Sequence, residues 1–216
     1  MSYWTIFYNF IIMLQRSVAI FGGSFDPPHL GHLELARSIR EVVDEVWVVP
    51  CGNRPDKPLL TNYELRLQMC KEAFSGINVS EYEKGKAMIP TYYLMSGLAK
   101  DFQDLNFSFI IGADLLESLH TWDCAERLIE EIQFIVINRA GVVLSERIKS
   151  TYSTRKNFRM LPIDAPYGMS STEIRRIASS IANENIPNEI KVERINEPLR
   201  IRSVSEFIVQ QGLYRV

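Results

Sequence analysis

The chain has 216 residues, 46% of them hydrophobic and 23% charged, the proportions of an ordinary globular protein with enough apolar surface for one sizeable core. Its 24 basic and 26 acidic residues leave a net charge of −2, which excludes the basic balance of a general nucleic-acid binder. Cys51, Cys70 and Cys124 are widely spaced and odd in number; they have neither metal-ligand spacing nor a disulfide framework and read as reduced thiols of a cytoplasmic protein.

Residues 2–14 are apolar and aromatic, and the first charge is Arg16. The stretch is too short to span a bilayer and lacks the basic start and small-residue cleavage site of a signal peptide. Residues 1–16 therefore read as an apolar extension that function does not require. Packing on the body or a partner subunit, a membrane-surface contact, and a start at Met13 all fit it.

The run 17–21 (SVAIF) ends at Gly22-Gly23 and predicts a buried strand. Helical spacing then predicts a helix over 30–42. A second buried strand follows at 45–49, and a helix at 61–74 capped by Thr61 or Asn62. A short strand at 77–80, a helix at 91–102 and a strand at 107–111 ending in Gly112 come next. Residues 117–131 read as mostly helical, 133–137 and 158–163 as strands, and 171–182 and 203–211 as helices. The polar stretch 183–202, with Pro187 and Pro198, predicts a loop or insertion. Apolar runs alternating with amphipathic segments predict an α/β domain over 17–182: a parallel sheet with helices on both faces, completed by a small helical C-terminal part in 183–216. In such sheets the ligand crevice lies beyond the carboxyl ends of the strands.

The densest chemistry is Gly22-Gly23-Ser24-Phe25-Asp26-Pro27-Pro28-His29-Leu30-Gly31-His32. Glycines permit unusual backbone angles and close approach of amides to a ligand. Prolines near a helix start cost little, and a helix N-terminus offers unpaired N–H groups and partial positive charge to phosphate. His29 and His32, three apart, share one face of the first turn, with Gly31 removing a side chain between them. The segment is neither a Walker loop nor a GxGxxG fingerprint. A second cluster, Ser170-Ser171-Thr172-Glu173-Ile174-Arg175-Arg176, places hydroxyl caps before a helix with Arg175 one turn in. Among the strand-following residues, Asp114 carries a carboxylate that accepts hydrogen bonds and Trp122 a flat indole with stacking area.

GGSFDPPHLGHL resembles the HxGH signature of the nucleotidyltransferase superfamily, most of all that of nicotinate and nicotinamide mononucleotide adenylyltransferases. SSTEIR, with Met169 before it, is similar to that family's ISSTxIR motif. The spacing from Gly112-Ala113-Asp114 to Trp122 is similar to that of its bacterial members. The resemblance covers about 17–123 and 138–176 and resumes in the terminal helix. It implies a Rossmann-like doubly wound sheet and transfer of AMP from ATP to a pyridine mononucleotide, with release of pyrophosphate.

Carried over residue by residue, His29, His32, Lys57 and Arg175 would be catalytic. Gly22, Gly23, Ser24, Phe25, Gly31, Gly112, Asp114, Arg139, Ser170, Ser171 and Thr172 would hold ATP and its phosphates. Thr91, Tyr92 and Trp122 would hold the mononucleotide. Asp56 stands where the family usually has His, and Ala140 in Arg139-Ala140-Gly141 where it has Pro. Arg66 matches an arginine common in the following helix, where an ion pair is an equal alternative. The resemblance implies Mg2+ arriving with ATP, no protein metal cage, no nucleic acid and no membrane partner; a homo-oligomer is compatible with it. Acid or amide preference stays open. The alternatives are another HxGH transferase, acting on phosphopantetheine or a phospho-alcohol, and an inactive nucleotide-binding module.

Overall fold

The computed structural model describes residues 15–54, 56–57, 61–139, 144–165 and 170–215. The apolar extension before Gln15, Pro55, Pro58, Ala140-Gly141 and Met169 lie outside them. Six strands are seen: β1 (Arg16–Gly23), β2 (Glu45–Pro50), β3 (Asn78–Val79), β4 (Leu105–Gly112), β5 (Gln133–Arg139) and β6 (Phe158–Ala165). They form one sheet in the order β3-β2-β1-β4-β5-β6, and every neighbouring pair is parallel.

Side chains alternate across each strand. Ala19, Phe21, Val46, Val48, Ile110, Ile135 and Ile137 enter one core. Val18, Ile20, Trp47, Val49, Phe109, Ile111, Phe134 and Val136 enter the other. Both faces are apolar, so the strands read as continuous hydrophobic runs rather than alternating ones.

The first core is covered by α1 (Leu30–Ile39), α2 (Tyr63–Ala73), α6 (Ser171–Ala182), α7 (Asn188–Leu199) and α8 (Arg202–Gln211). The second is covered by α3 (Thr91–Asp101), α4 (Ala125–Glu131) and α5 (Glu146–Ser153). This is a doubly wound α/β fold. Strand order reverses between β1 and β4, and a crevice opens there by topology. Among the described residues no helix is long and apolar enough to cross a membrane.

One expectation needs correction and two features were not foreseen. Residues 183–202 are not a loop: α7 occupies most of them and buries Val192, Ile195 and Leu199 along one stripe. Pro198 lies in its last turn and Arg200 closes it with φ 58°, so the proline removes one hydrogen bond near the end rather than breaking the helix. Residues 117–131 are mostly helical, as expected, but not as one helix. Two 3₁₀ turns, Ala113–Leu115 and Leu119–Thr121, precede α4, and Cys124 at φ 55° separates them from it. Helix α5, begun by Ser145 Oγ accepting from the Ile148 amide, was not anticipated at all.

Candidate active site

A crevice of about 630 Å³ opens at the carboxyl ends of β1, β2 and β4, walled by Gly22–Ser24, Cys51, Arg54, Lys57, Glu83, Thr91, Phe109 and Trp122 among others. Gly22 and Gly23 are not in a left-handed conformation. Space is what they supply. A Cβ on Gly23 would lie 3.0 Å from the Phe25 ring, and one on Gly22 3.2 Å from Phe109.

The left-handed residue in this loop is Phe25, at φ 47°, an unusual conformation for a bulky side chain and one concentrated at functional sites. Its ring is buried, 3% exposed. It packs edge-on against His32 at 5.2 Å and Phe74 at 5.6 Å. Of the backbone or side-chain contact expected of Phe25, the ring is ruled out: an apolar group at that depth braces His32, which leaves the backbone.

Helix α1 starts with His29 as its N-cap residue. The imidazoles of His29 and His32 stack with centroids 3.8 Å apart. The His29 amide donates to His32 Nδ1 at 3.3 Å; with Nδ1 accepting, the proton of a neutral ring belongs on Nε2. Gly31 lies on the same turn.

The second cluster meets this loop directly. Ser170 Oγ caps α6 by accepting from the Glu173 amide at 3.2 Å. Ser171 Oγ donates to the Pro27 carbonyl at 2.9 Å. Arg175 donates to the Asp26 carbonyl at 2.6 Å and to Thr172 Oγ1 at 3.1 Å. Two motifs about 145 residues apart (Pro27 and Ser171 differ by 144) thus place two helix N-termini, two imidazoles and one guanidinium together. They stand beside the crevice and do not line its walls. Arg176 turns outward and pairs with Glu173.

On the β2–α2 connection, Lys57 lines the crevice. Arg54 does as well, and it grips Asp56 with two hydrogen bonds of 3.0 and 2.5 Å. Those bonds hold the Asp56 carboxyl below its ordinary value and raise the Arg54 guanidinium above its own. The acidic residue in the family's histidine position thus meets an arginine that sequence reasoning did not single out.

Arg66 is fully buried. It donates to the carbonyls of Thr61, Ser24 and Cys51 at 2.8, 2.8 and 2.7 Å. Carbonyls, not a carboxylate, receive its hydrogen bonds, so it ties the β1 and β2 loops to α2. Glu83, 2% exposed, accepts from the amides of Gly52 and Ile89 at 2.7 and 3.1 Å; burial raises its carboxyl above the ordinary value against those bonds.

On the opposite wall, Thr91 opens α3 and Trp122 follows the second 3₁₀ turn; both line the crevice. Asp114 sits half-buried in the first 3₁₀ turn, after Gly112 at the end of β4. Arg139 ends β5, its backbone paired with Ala165. Tyr92 is a correction. It does not face the crevice: its ring is buried in the second core and its hydroxyl donates to Glu131 at 2.8 Å. On a helix, the residue after Thr91 points about 100° away from it, and here that direction is the core. Among the described residues no group of three or more His, Cys, Asp or Glu is placed to hold a metal ion.

Over residues 20–177 the chain matches the family model described as Cytidylyltransferase-like. A probable nicotinate-nucleotide adenylyltransferase of Halalkalibacterium halodurans is 32% identical over 218 residues, spanning 93% of this chain and 92% of that protein. One of Bacillus cereus is 30% identical over 210 residues, spanning 93% and 99%. Two structures of Plasmodium falciparum nicotinic acid mononucleotide adenylyltransferase, one complexed with NaAD and one with APC, superpose with TM-scores of 0.73 and 0.69 at 27% and 26% identity, each covering 92% of this chain and 97% of that one. The family model spans both helix tips and every residue of the crevice wall: the chain belongs to the cytidylyltransferase-like family, among its nicotinate-nucleotide adenylyltransferases.

Proposed function

We propose that this protein joins ATP and nicotinate mononucleotide into the corresponding dinucleotide, releasing pyrophosphate, as a cytoplasmic step of NAD biosynthesis. The observation that carries the proposal is the meeting of α1 and α6 through Asp26 and Pro27, beside a crevice that holds Trp122 at its far wall. An oxygen of the mononucleotide phosphate attacks the α-phosphorus of ATP. The bond from that phosphorus to the bridging oxygen breaks, and the electron pair leaves with pyrophosphate. No covalent enzyme intermediate is needed.

Both reactants are anions, so the enzyme's task is to hold them in line and neutralise charge. His29, His32 and Arg175, with the amides at the tips of α1 and α6, surround the triphosphate, and Lys57 faces the incoming phosphate. Asp114 accepts from ribose hydroxyls, and Trp122 stacks on the pyridine ring. The donor set around the helix tips is cationic and hydroxylic, so magnesium would enter with ATP and would help neutralise the phosphates.

Pyrophosphate release with ATP and nicotinate mononucleotide, compared with the nicotinamide form, tests the reading directly. Activity is expected to vanish with chelator in excess over magnesium; full turnover under that condition, or no release from either mononucleotide, would overturn it. Replacing Trp122 by leucine is expected to raise KM for the mononucleotide about tenfold through loss of stacking area, with KM for ATP unmoved. Equal shifts in both constants would remove Trp122 from the pyridine subsite.

A further inference from the structure

The segment after α8 reaches the phosphate loop. Gly212, at φ 59°, ends the helix, and Tyr214, at φ 62°, turns the chain a second time. The Leu213 amide returns to the Ile208 carbonyl at 3.0 Å, which closes the helix end. These two left-handed turns bring the Tyr214 hydroxyl to Asp26 Oδ1 at 2.7 Å, across 188 positions of sequence.

Asp26 is 2% exposed, and a carboxylate so buried must be satisfied from within the protein. Its Oδ2 accepts from the Thr61 amide at 3.1 Å. Its backbone carbonyl receives Arg175 at 2.6 Å. One residue of the HxGH loop therefore joins four segments: the loop itself, the entry to α2, the first turn of α6 and the stretch following α8. Tyr214 gives the carboxylate a side-chain donor, Thr61 a backbone one. For a tyrosine to hold a left-handed backbone, the surroundings must over-determine it. They do so by fixing the hydroxyl on the carboxylate of the residue whose backbone carbonyl receives Arg175.

We propose that Tyr214 is a positioning residue of the nucleotidyl-transfer site: through Asp26 it holds the phosphate loop and Arg175 at the spacing that fits the triphosphate. The inference rests on the function proposed above, but its readouts include one that does not require turnover.

Tyr214→Phe keeps the ring and removes only the hydroxyl. In the full chain it is expected to weaken ATP binding, measured by calorimetry, and to lower kcat, each by about tenfold, the worth of one hydrogen bond to a charged group. KM for the mononucleotide should stay within about twofold of wild type, because Trp122 and Thr91 stand on the other wall. In an Arg175→Ala background the same substitution should add less than about a twofold further loss, since residues acting through one another are not additive. Unchanged ATP affinity and kcat, with only a lower melting midpoint, would show that the hydroxyl serves stability alone and would overturn the proposal. The full additional loss in the Arg175→Ala background would overturn it equally. Should Tyr214→Phe fold poorly, Asp26→Asn, with a donor facing the Thr61 amide, must show the same weakening of ATP over mononucleotide, or the route through Asp26 is wrong. Failure of the wild-type chain to release pyrophosphate would instead count against the functional reading, while the calorimetric comparison would still judge Tyr214.

Discussion

The His32→Ala variant is expected to keep its fold and lose about 10²–10³-fold in kcat, the usual cost of deleting one donor aimed at charge that develops in a transition state. His32 is half-buried at the third position of α1. Its Nδ1 accepts from the His29 amide, so in the neutral ring Nε2 carries the proton and is the donor. Phe25 and Phe21 hold the ring edge-on and tilted, at 5.2 and 6.0 Å, and restrict its rotation. A fixed donor costs no reorganisation when the pentavalent phosphorus forms.

The rival explanation is fraying of the first turn after loss of the cap. His32→Asn separates the two, because it retains an acceptor near Nδ1 and lacks the ε position. It should be nearly as slow as the alanine variant, while circular dichroism of both matches wild type. Steady-state pyrophosphate release decides the matter. Turnover within about tenfold of wild type in His32→Ala would place the imidazole outside the chemistry.

The largest effect on stability is expected from Arg66→Met. An arginine removed from water carries a desolvation penalty that its partners must offset, and here the partners are three carbonyls within 2.8 Å. Methionine fills much of the volume occupied by the arginine stem but leaves those acceptors buried and unmatched. At roughly 1–3 kcal/mol for each unsatisfied group, a total loss of about 3 kcal/mol or more is expected. For a domain of this size that lowers the melting midpoint by about 10 °C, measurable by calorimetry. A shift below about 2 °C would mean that water or relaxation replaces the guanidinium. The variant should also bind ATP less well, because Ser24 and Cys51, whose carbonyls are released, lie on the crevice wall.

The strands were legible because a parallel sheet covered on both faces needs uninterrupted apolar runs, and SVAIF, EVWVV and QFIVI are such runs. The two phosphate motifs were legible because hydroxyls, glycines and imidazoles at a strand-to-helix junction have few other uses. What escaped was set by direction and distance rather than by local composition. Tyr92 was assigned with Thr91, yet neighbours on a helix face different ways, and its ring went to the core. Helix α7 was hidden by Pro198 and by charged residues around the stripe Val192, Ile195 and Leu199. Arg54 drew no notice because its meaning depends on Asp56, two positions away, folding back onto it. Tyr214 looked like part of a terminal helix, and only the fold brings it to Asp26.

That last pairing sets a clock on biogenesis. Translation runs at roughly 5–20 residues per second, so Asp26 waits on the order of 10–40 s for a hydroxyl made 188 residues later. During that interval the nascent loop carries a carboxylate with no tyrosine to donate to it, and α6, which steadies the same loop, is also late. The contacts of α6 and Tyr214 are thus the last to reach the loop at Asp26, although the residues that wall the crevice, between Gly22 and Asp123, are made first.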